Sequence, residues 1–237
     1  MHPLQRERYF KQSFKTTTGI LNAKLESVVV AGAKIFTIGV VGHRWNRMDR
    51  RQEPQLTATI GGLFAAIGDT LQAAVIRLVT GLAEGADQVA ARAMPSRWHL
   101  SAVLPMPVNE YESHLKVHGT GDPQEAIDRL RALLARPHSD LVETSLATPD
   151  EGYISVQKAI LANADLLVAI WDGAAGAGAG GTKDGITKAL AEGTLVIWID
   201  SDQDRNGGLR QITAMSSDGQ AIAQDIGPAE LSEKLRR

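Results

Sequence analysis

Cysteine is absent from the 237 residues. That excludes disulfide scaffolds, thiolate zinc sites and cysteine nucleophiles, and it fits a reducing, cytoplasmic setting. Aromatic residues make up only 5%, which leaves few stacking platforms for single-stranded nucleic acid. Neither charge sign dominates. Lys plus Arg is 25 and Asp plus Glu is 27, a net −2, so a general nucleic-acid coat is excluded and only a local basic patch remains open. There is also no long apolar run. The most apolar stretch, Ala164–Trp171, contains Asp165 and falls far short of the roughly 20 residues a membrane span needs. The polar, basic N-terminus has no apolar run of signal-peptide type and reads as an arm. His114 and His118 are four apart but have no third ligand nearby, so no metal is expected. No serine or histidine falls in a GxSxG context. The Gly-Gly-Thr-Lys order at Gly180–Lys183 is not the P-loop order Gly-Lys-[Ser/Thr].

What is present is globular. Hydrophobic residues are 43% and charged residues 22%, close to the average for folded domains. The length suits one large domain with extensions. Residues 1–33 read as an N-terminal extension, in which Val28–Ala33 is a short strand or a turn. Residues 34–200 read as the folded domain. Residues 201–237 read as a polar C-terminal extension that packs on the domain or trails from it, with a short helix at Pro228–Leu235.

Short apolar runs alternate with helical segments. Strands are expected at Ile35–Val41, Val75–Val79, Leu100–Leu104, Leu141–Thr144, Leu166–Trp171 and Leu195–Ile199, the last clear strand. Helices are expected at Leu56–Ala74, Glu84–Met94, Asp122–Arg136, Glu151–Asn163 and Lys183–Glu192. Val108–Gly121 reads mainly as a loop with some helix. Asp122-Pro123-x-Glu125 and Thr148-Pro149-x-Glu151 carry the N-cap, first-turn proline and carboxylate of helix starts. The alternation predicts an α/β, Rossmann-like, mostly parallel sheet with helices on both faces and the first strand central.

In such sheets ligands bind beyond the carboxyl ends of the strands. The residues there are Gly42, His43 and Arg44; Thr80, Gly81, Glu84, Gly85 and Asp87; Asp172 and Gly173; and Gly180, Gly181, Thr182, Lys183 and Asp184. Glycines between strand and helix let backbone N–H groups approach a phosphate. Gly180-Gly181-Thr182 has that layout, with Thr182 as N-cap. Arg44 can grip a phosphate or carboxylate bidentately. Glu84, Asp87 and Asp184 could meet ribose hydroxyls. Plainer roles stand beside these: tight packing for the glycines, a helix brace for Asp87, a solvated face for Arg47, Arg50 and Arg51. His43 is open between packing and binding.

Five segments together resemble the SLOG superfamily, the Rossmann-like group that includes LOG phosphoribohydrolases, DprA DNA-processing proteins, YpsA-like proteins and TRPM ligand-binding domains. They are IGVVGHR (Ile38–Arg44), VTGLAEGADQVAARA (Val79–Ala93), AVLPMPVNEY (Ala102–Tyr111), GYISVQKAILANADLLVAIWDG (Gly152–Gly173) and GGTKDGITKALAEGTLVIWID (Gly180–Asp200). The likeness is nearest to bacterial members with a Gly-His-Arg first loop and a late Gly-Gly-Thr loop. It implies a binding or sensing module for a nucleotide-derived ligand such as ADP-ribose, an NAD relative or a nucleoside phosphate, in bacterial signalling or defence. No cofactor is implied; a homodimer is admitted. An alternative is N-glycosidic hydrolysis of a nucleotide, with Asp184 or Glu84 activating water and Arg44 holding phosphate. A further alternative, single-strand DNA binding, would rest on the Arg44–Arg51 cluster. Relative to LOG enzymes, Asp184 is one methylene shorter than their first glutamate. Gly185 replaces the next carboxylate, and no Arg-Lys pair occurs between Pro105 and Gly152. These departures weigh against ribohydrolase chemistry and leave the phosphate-binding logic intact.

Overall fold

Period-two partition of the strand side chains builds the molecule. In the computed structural model, which describes residues 34–72, 74–144, 146, 148–174, 178–202 and 208–236, alternate strand residues enter two separate apolar clusters. Ile38, Leu78, Val168 and Ile197 belong to one; Val41, Val79, Leu167 and Val196 belong to the other. Strands buried on both faces demand helices on both faces, which is why they read as continuous apolar runs.

The strands are β1 (Ile35–Gly42), β2 (Val75–Thr80), β3 (His99–Leu104), β4 (Ser139–Glu143), β5 (Leu166–Trp171), β6 (Leu195–Asp200), β7 (Leu209–Met215) and β8 (Ala221–Asp225). They form one sheet in the order β4-β3-β2-β1-β5-β6-β7-β8. β1 to β6 are parallel, while β7 and β8 are antiparallel additions. The protein is therefore an α/β, Rossmann-like fold with a mostly parallel sheet. β1 sits inside it, between β2 and β5.

The helices are α1 (Glu53–Thr70), α2 (Ala86–Ala93), α3 (Val108–His118), α4 (Pro123–Leu134), α5 (Pro149–Leu161), α6 (Thr182–Ala191) and α7 (Pro228–Leu235). Buried residues of α1, α2, α3, α4 and α7 join one cluster; those of α5 and α6 join the other. The expected starts of α4 and α5 are present. Asp122 accepts from the Gln124 and Glu125 amides, and Thr148 from Glu151.

Three expectations are corrected. Val108–His118 is a helix, although it buries only Tyr111 and Leu115; two apolar positions four apart make too faint a stripe to stand out. Leu195–Asp200 is not the last strand, because the β7–β8 hairpin follows. The hairpin lies at the end of the sheet, where little of it is covered; β7 buries Ile212 and the edge strand β8 buries no residue. Gly181, not Thr182, caps α6, with Thr182 already inside the helix. The expected strand or turn at Val28–Ala33 lies outside the described residues. None of the described helices is long and apolar enough to cross a membrane.

Helical glycines divide by what surrounds them. A Cβ at Gly61 or Gly62 meets nothing within 4 Å, whereas one at Gly152 would sit 2.2 Å from the Pro105 carbonyl oxygen. Gly61→Ala and Gly62→Ala should each stabilise the fold by about 1 kcal/mol through helix propensity. Gly152→Ala should destabilise it by about 1–3 kcal/mol through overpacking. Urea unfolding curves of the three variants check both signs.

Candidate functional site

Sheet order reverses between β1 and β5. From β1 the chain winds outward through β2, β3 and β4, then returns to β5 and winds the other way. The loops leaving β1 and β5 therefore diverge and open a crevice, the usual ligand position in such sheets. Gly42-His43-Arg44 leaves β1 there, and Asp172-Gly173 leaves β5.

Backbone contacts pull the first two loops together. The His43 amide donates to Ile170 O at 3.1 Å, and the Ala86 amide donates to His43 O at 3.0 Å. A Cβ at Gly42 would fall 2.3 Å from Ala86 Cβ. One at Gly85 would fall 2.7 Å from His43 O, and Gly85 also has φ +94°. Gly85 thus serves loop packing, and its open side is filled by the β1 loop. Gly81 is likewise buried, with Val156 of α5 3.0 Å from where its Cβ would be. Leu82 in the same loop has φ +51°, a left-handed backbone that costs a leucine energy.

Asp172 is clamped across the crevice. It accepts from His43 Nε2 at 2.8 Å and from Arg47 Nε and Nη2 at 3.1 and 2.6 Å. Burial alone would raise its pKa, but the bonds from His43, Ala174 N and Arg47 hold it below the ordinary carboxylate range. Burial lowers the His43 pKa despite Asp172, so a neutral imidazole donates its Nε2 proton to a carboxylate. Arg47 is accordingly no solvated residue. Arg50 pairs with Glu125 at the surface, both side chains being more than a third exposed, as on a solvated face. Arg51 is 90% exposed and pairs with its neighbour Asp49, as a solvated side chain does.

The carboxylates singled out in the sequence are engaged. Glu84 is 1% exposed and accepts from the Thr120 amide, from Thr120 Oγ1 at 2.7 Å and from the Gly121 amide at 3.3 Å. It ties the loop before α4 to the loop before α2. Asp184 accepts from the Gly180 amide at 2.9 Å and from Lys188 Nζ at 2.5 Å. It supplies the anion at the α6 N-terminus, in place of the expected Thr182 cap. Lys183 lies against the hairpin turn; a Cβ at Gly219 would fall 2.2 Å from its Nζ. Gly173 (φ +76°) lies on the Trp198 ring. Beside it, Asp172, Ala174, Gln220 and Ala221 help line a cavity of about 300 Å³.

Arg44 differs from its neighbours. It is half-buried and, among the described residues, forms no ion pair. Its guanidinium carbon lies 5.1 Å from the Tyr153 ring centroid. Around it stand Tyr111, fully buried, and His114, whose ring lies 6.5 Å from Tyr111 and 6.0 Å from Tyr153. Sequence reasoning missed Tyr111, Tyr153, His114 and Thr120. The available signal was the scarcity of tyrosine. The chain has 3, and two of them meet here from different helices.

An α/β protein of the Rossmann-like class, with a polar crevice at its switch point, is what this fold and site define. No family model and no curated protein matches the chain. Among solved structures, it is similar to the X-ray structure of DNA processing protein A (DprA) from Streptococcus pneumoniae, with 17% identity and a TM-score of 0.45. The match covers 69% of this chain and 50% of that one, so the chain spans about half the length of that protein.

Asp87 carries a pH signature. It is 7% exposed, and burial raises its pKa from 3.8 to about 6 against the opposing pull of Thr80, the Ala83 and Gly81 backbone, and Arg44. Between about pH 4 and 6 the folded state therefore holds a proton that the unfolded chain has lost, so this residue's contribution to stability falls as pH rises through that window. At 1.36 kcal/mol per unit the fall is at most about 3 kcal/mol. The stability difference between wild type and Asp87→Asn, measured by urea unfolding at pH 4 and pH 7, should shift by that sign: the wild type loses ground as pH rises.

Proposed function

We propose that the chain is a binding module for a nucleotide-derived anion, of the ADP-ribose, NAD-related or nucleoside phosphate class, held at the β1/β5 crevice. The observation that carries this reading is Arg44. A half-buried guanidinium with no carboxylate in ion-pair contact among the described residues is expensive to keep, and a ligand phosphate would complete it. The reading agrees with the resemblance to SLOG proteins with a Gly-His-Arg first loop. It moves the expected phosphate contact from the α6 N-terminus, where Asp184 already takes the Gly180 amide, to Arg44.

The engaged carboxylates favour binding over hydrolysis. A general base needs a free oxygen within about 2.6–3.2 Å of its proton, or one bridging water. Asp184 is ion-paired and Glu84 is buried against Thr120 and Gly121. Release of free base from a nucleoside monophosphate, abolished in Asp184→Asn, would reverse the choice. The arginine cluster does not favour single-strand DNA, because Arg47, Arg50 and Arg51 already have acidic partners.

Arg44→Ala should cost about 1.5–3 kcal/mol of binding to ADP-ribose or AMP, the range for hydrogen bonds to charged groups. Arg44→Lys should recover only part, since an ammonium cannot reproduce the planar fork. Arg50→Ala should leave affinity within twofold. Isothermal titration calorimetry of the three variants checks the assignment; equal losses at Arg44 and Arg50 would contradict it.

A further inference from the structure

The Arg44 cation stands over the Tyr153 ring, beside two buried phenolic hydroxyls. The hydroxyls of Tyr111 on α3 and Tyr153 on α5 are both sealed from solvent and make no hydrogen bond of ordinary geometry. They are nonetheless close to one another and to Arg44: the Tyr153 hydroxyl lies within weak hydrogen-bonding reach of both Arg44 and Tyr111. Tyr111 is 0% exposed, and burial raises its pKa well above the ordinary phenol value, so it is a neutral O–H donor at any physiological pH. An unsatisfied buried hydroxyl carries a desolvation penalty. A phenylalanine at either position would keep the ring and its packing without that penalty.

Resting on the binding-module reading above, we infer that Tyr111, Tyr153 and Arg44 form one phosphate-recognition subsite. The arginine fork supplies two parallel donors and the charge, and each phenol adds one donor from a different helix. Donors arriving from three directions suit a tetrahedral oxyanion. A planar carboxylate is already satisfied by the fork alone. Glu84 attracts Arg44 from a distance but is held by its bonds to Thr120 and Gly121, and no carboxylate of the described chain forms an ion pair with Arg44. The group recognised is a phosphate, free or as part of a nucleotide.

The test is calorimetry of wild type, Tyr111→Phe and Tyr153→Phe against inorganic phosphate, AMP, ADP-ribose and adenosine, with thermal unfolding of each ligand-free protein. The expected result is at least tenfold weaker binding of the phosphate-bearing probes in both variants. Ligand-free Tyr111→Phe should also melt at or above the wild-type temperature, because the lost hydroxyl made no hydrogen bond of ordinary geometry. AMP binding without inorganic phosphate binding assigns the subsite to a nucleotide phosphate; binding of both assigns it to phosphate itself. Unchanged affinity in both variants, with the wild type binding and Arg44→Ala impaired, overturns the tyrosine subsite and leaves the module reading standing. A ligand-free Tyr111→Phe that melts well below wild type also overturns the subsite, since the hydroxyl would then be structural. A wild type that binds none of the phosphate-bearing probes overturns the module reading and the subsite together.

Discussion

Everything around the candidate site follows from the need to satisfy polar groups where the sheet reverses direction. At the β1/β5 switch the covering loops part, and the strand ends bring a histidine, two arginines and an aspartate into a confined crevice. Asp172 resolves most of that charge by accepting from His43 and Arg47. The clamp joins the loops after β1 and β5. The loop after β2 must then approach closely, which is why Gly42 lies against Ala86 and Gly85 against the His43 carbonyl. The glycines are packing devices as much as ligand devices.

Charge is shared out unevenly across this region. Arg47, Arg50 and Arg51 each face a carboxylate. Glu84 and Asp184 are occupied by backbone amides and, for Asp184, a lysine. Arg44 has the ring of Tyr153 and, beside it, the phenol of Tyr111 for company. A ring face attracts a cation less strongly than a carboxylate does once both are desolvated. A cation supported in this way keeps its capacity for an incoming anion, and that asymmetry separates Arg44 from a general basic patch.

Much of the fold is legible in the sequence. The bounds of β5, Leu166–Trp171, and of α7, Pro228–Leu235, coincide with their sequence patterns. The Asp122 and Thr148 caps were visible as spacing. What was illegible has local causes. α3 hides because its buried face is Tyr111 and Leu115 alone. β7 and β8 hide because this antiparallel hairpin at the end of the sheet keeps polar residues on its open side, and a register shift at Ile212/Ala214 breaks the alternation further. In the site, the glycine turns and Arg44 were readable, while the engagement of Asp184 by Lys188 and of Glu84 by Thr120 was not.

By itself the sequence determined the class of fold, the central position of β1 and the set of loops that converge at its carboxyl end. Those properties follow from hydrophobic periodicity and from caps, which act between residues at most a few turns apart. Only the tertiary structure decided which charges are spent and which remain available. Arg44, Tyr111 and Tyr153 are separated by 67 and 42 residues along the chain, and neither periodicity nor motif spacing reports on such distances. Their meeting depends on how α3 and α5 pack over the strand ends, and packing of that kind is a property of the whole sheet.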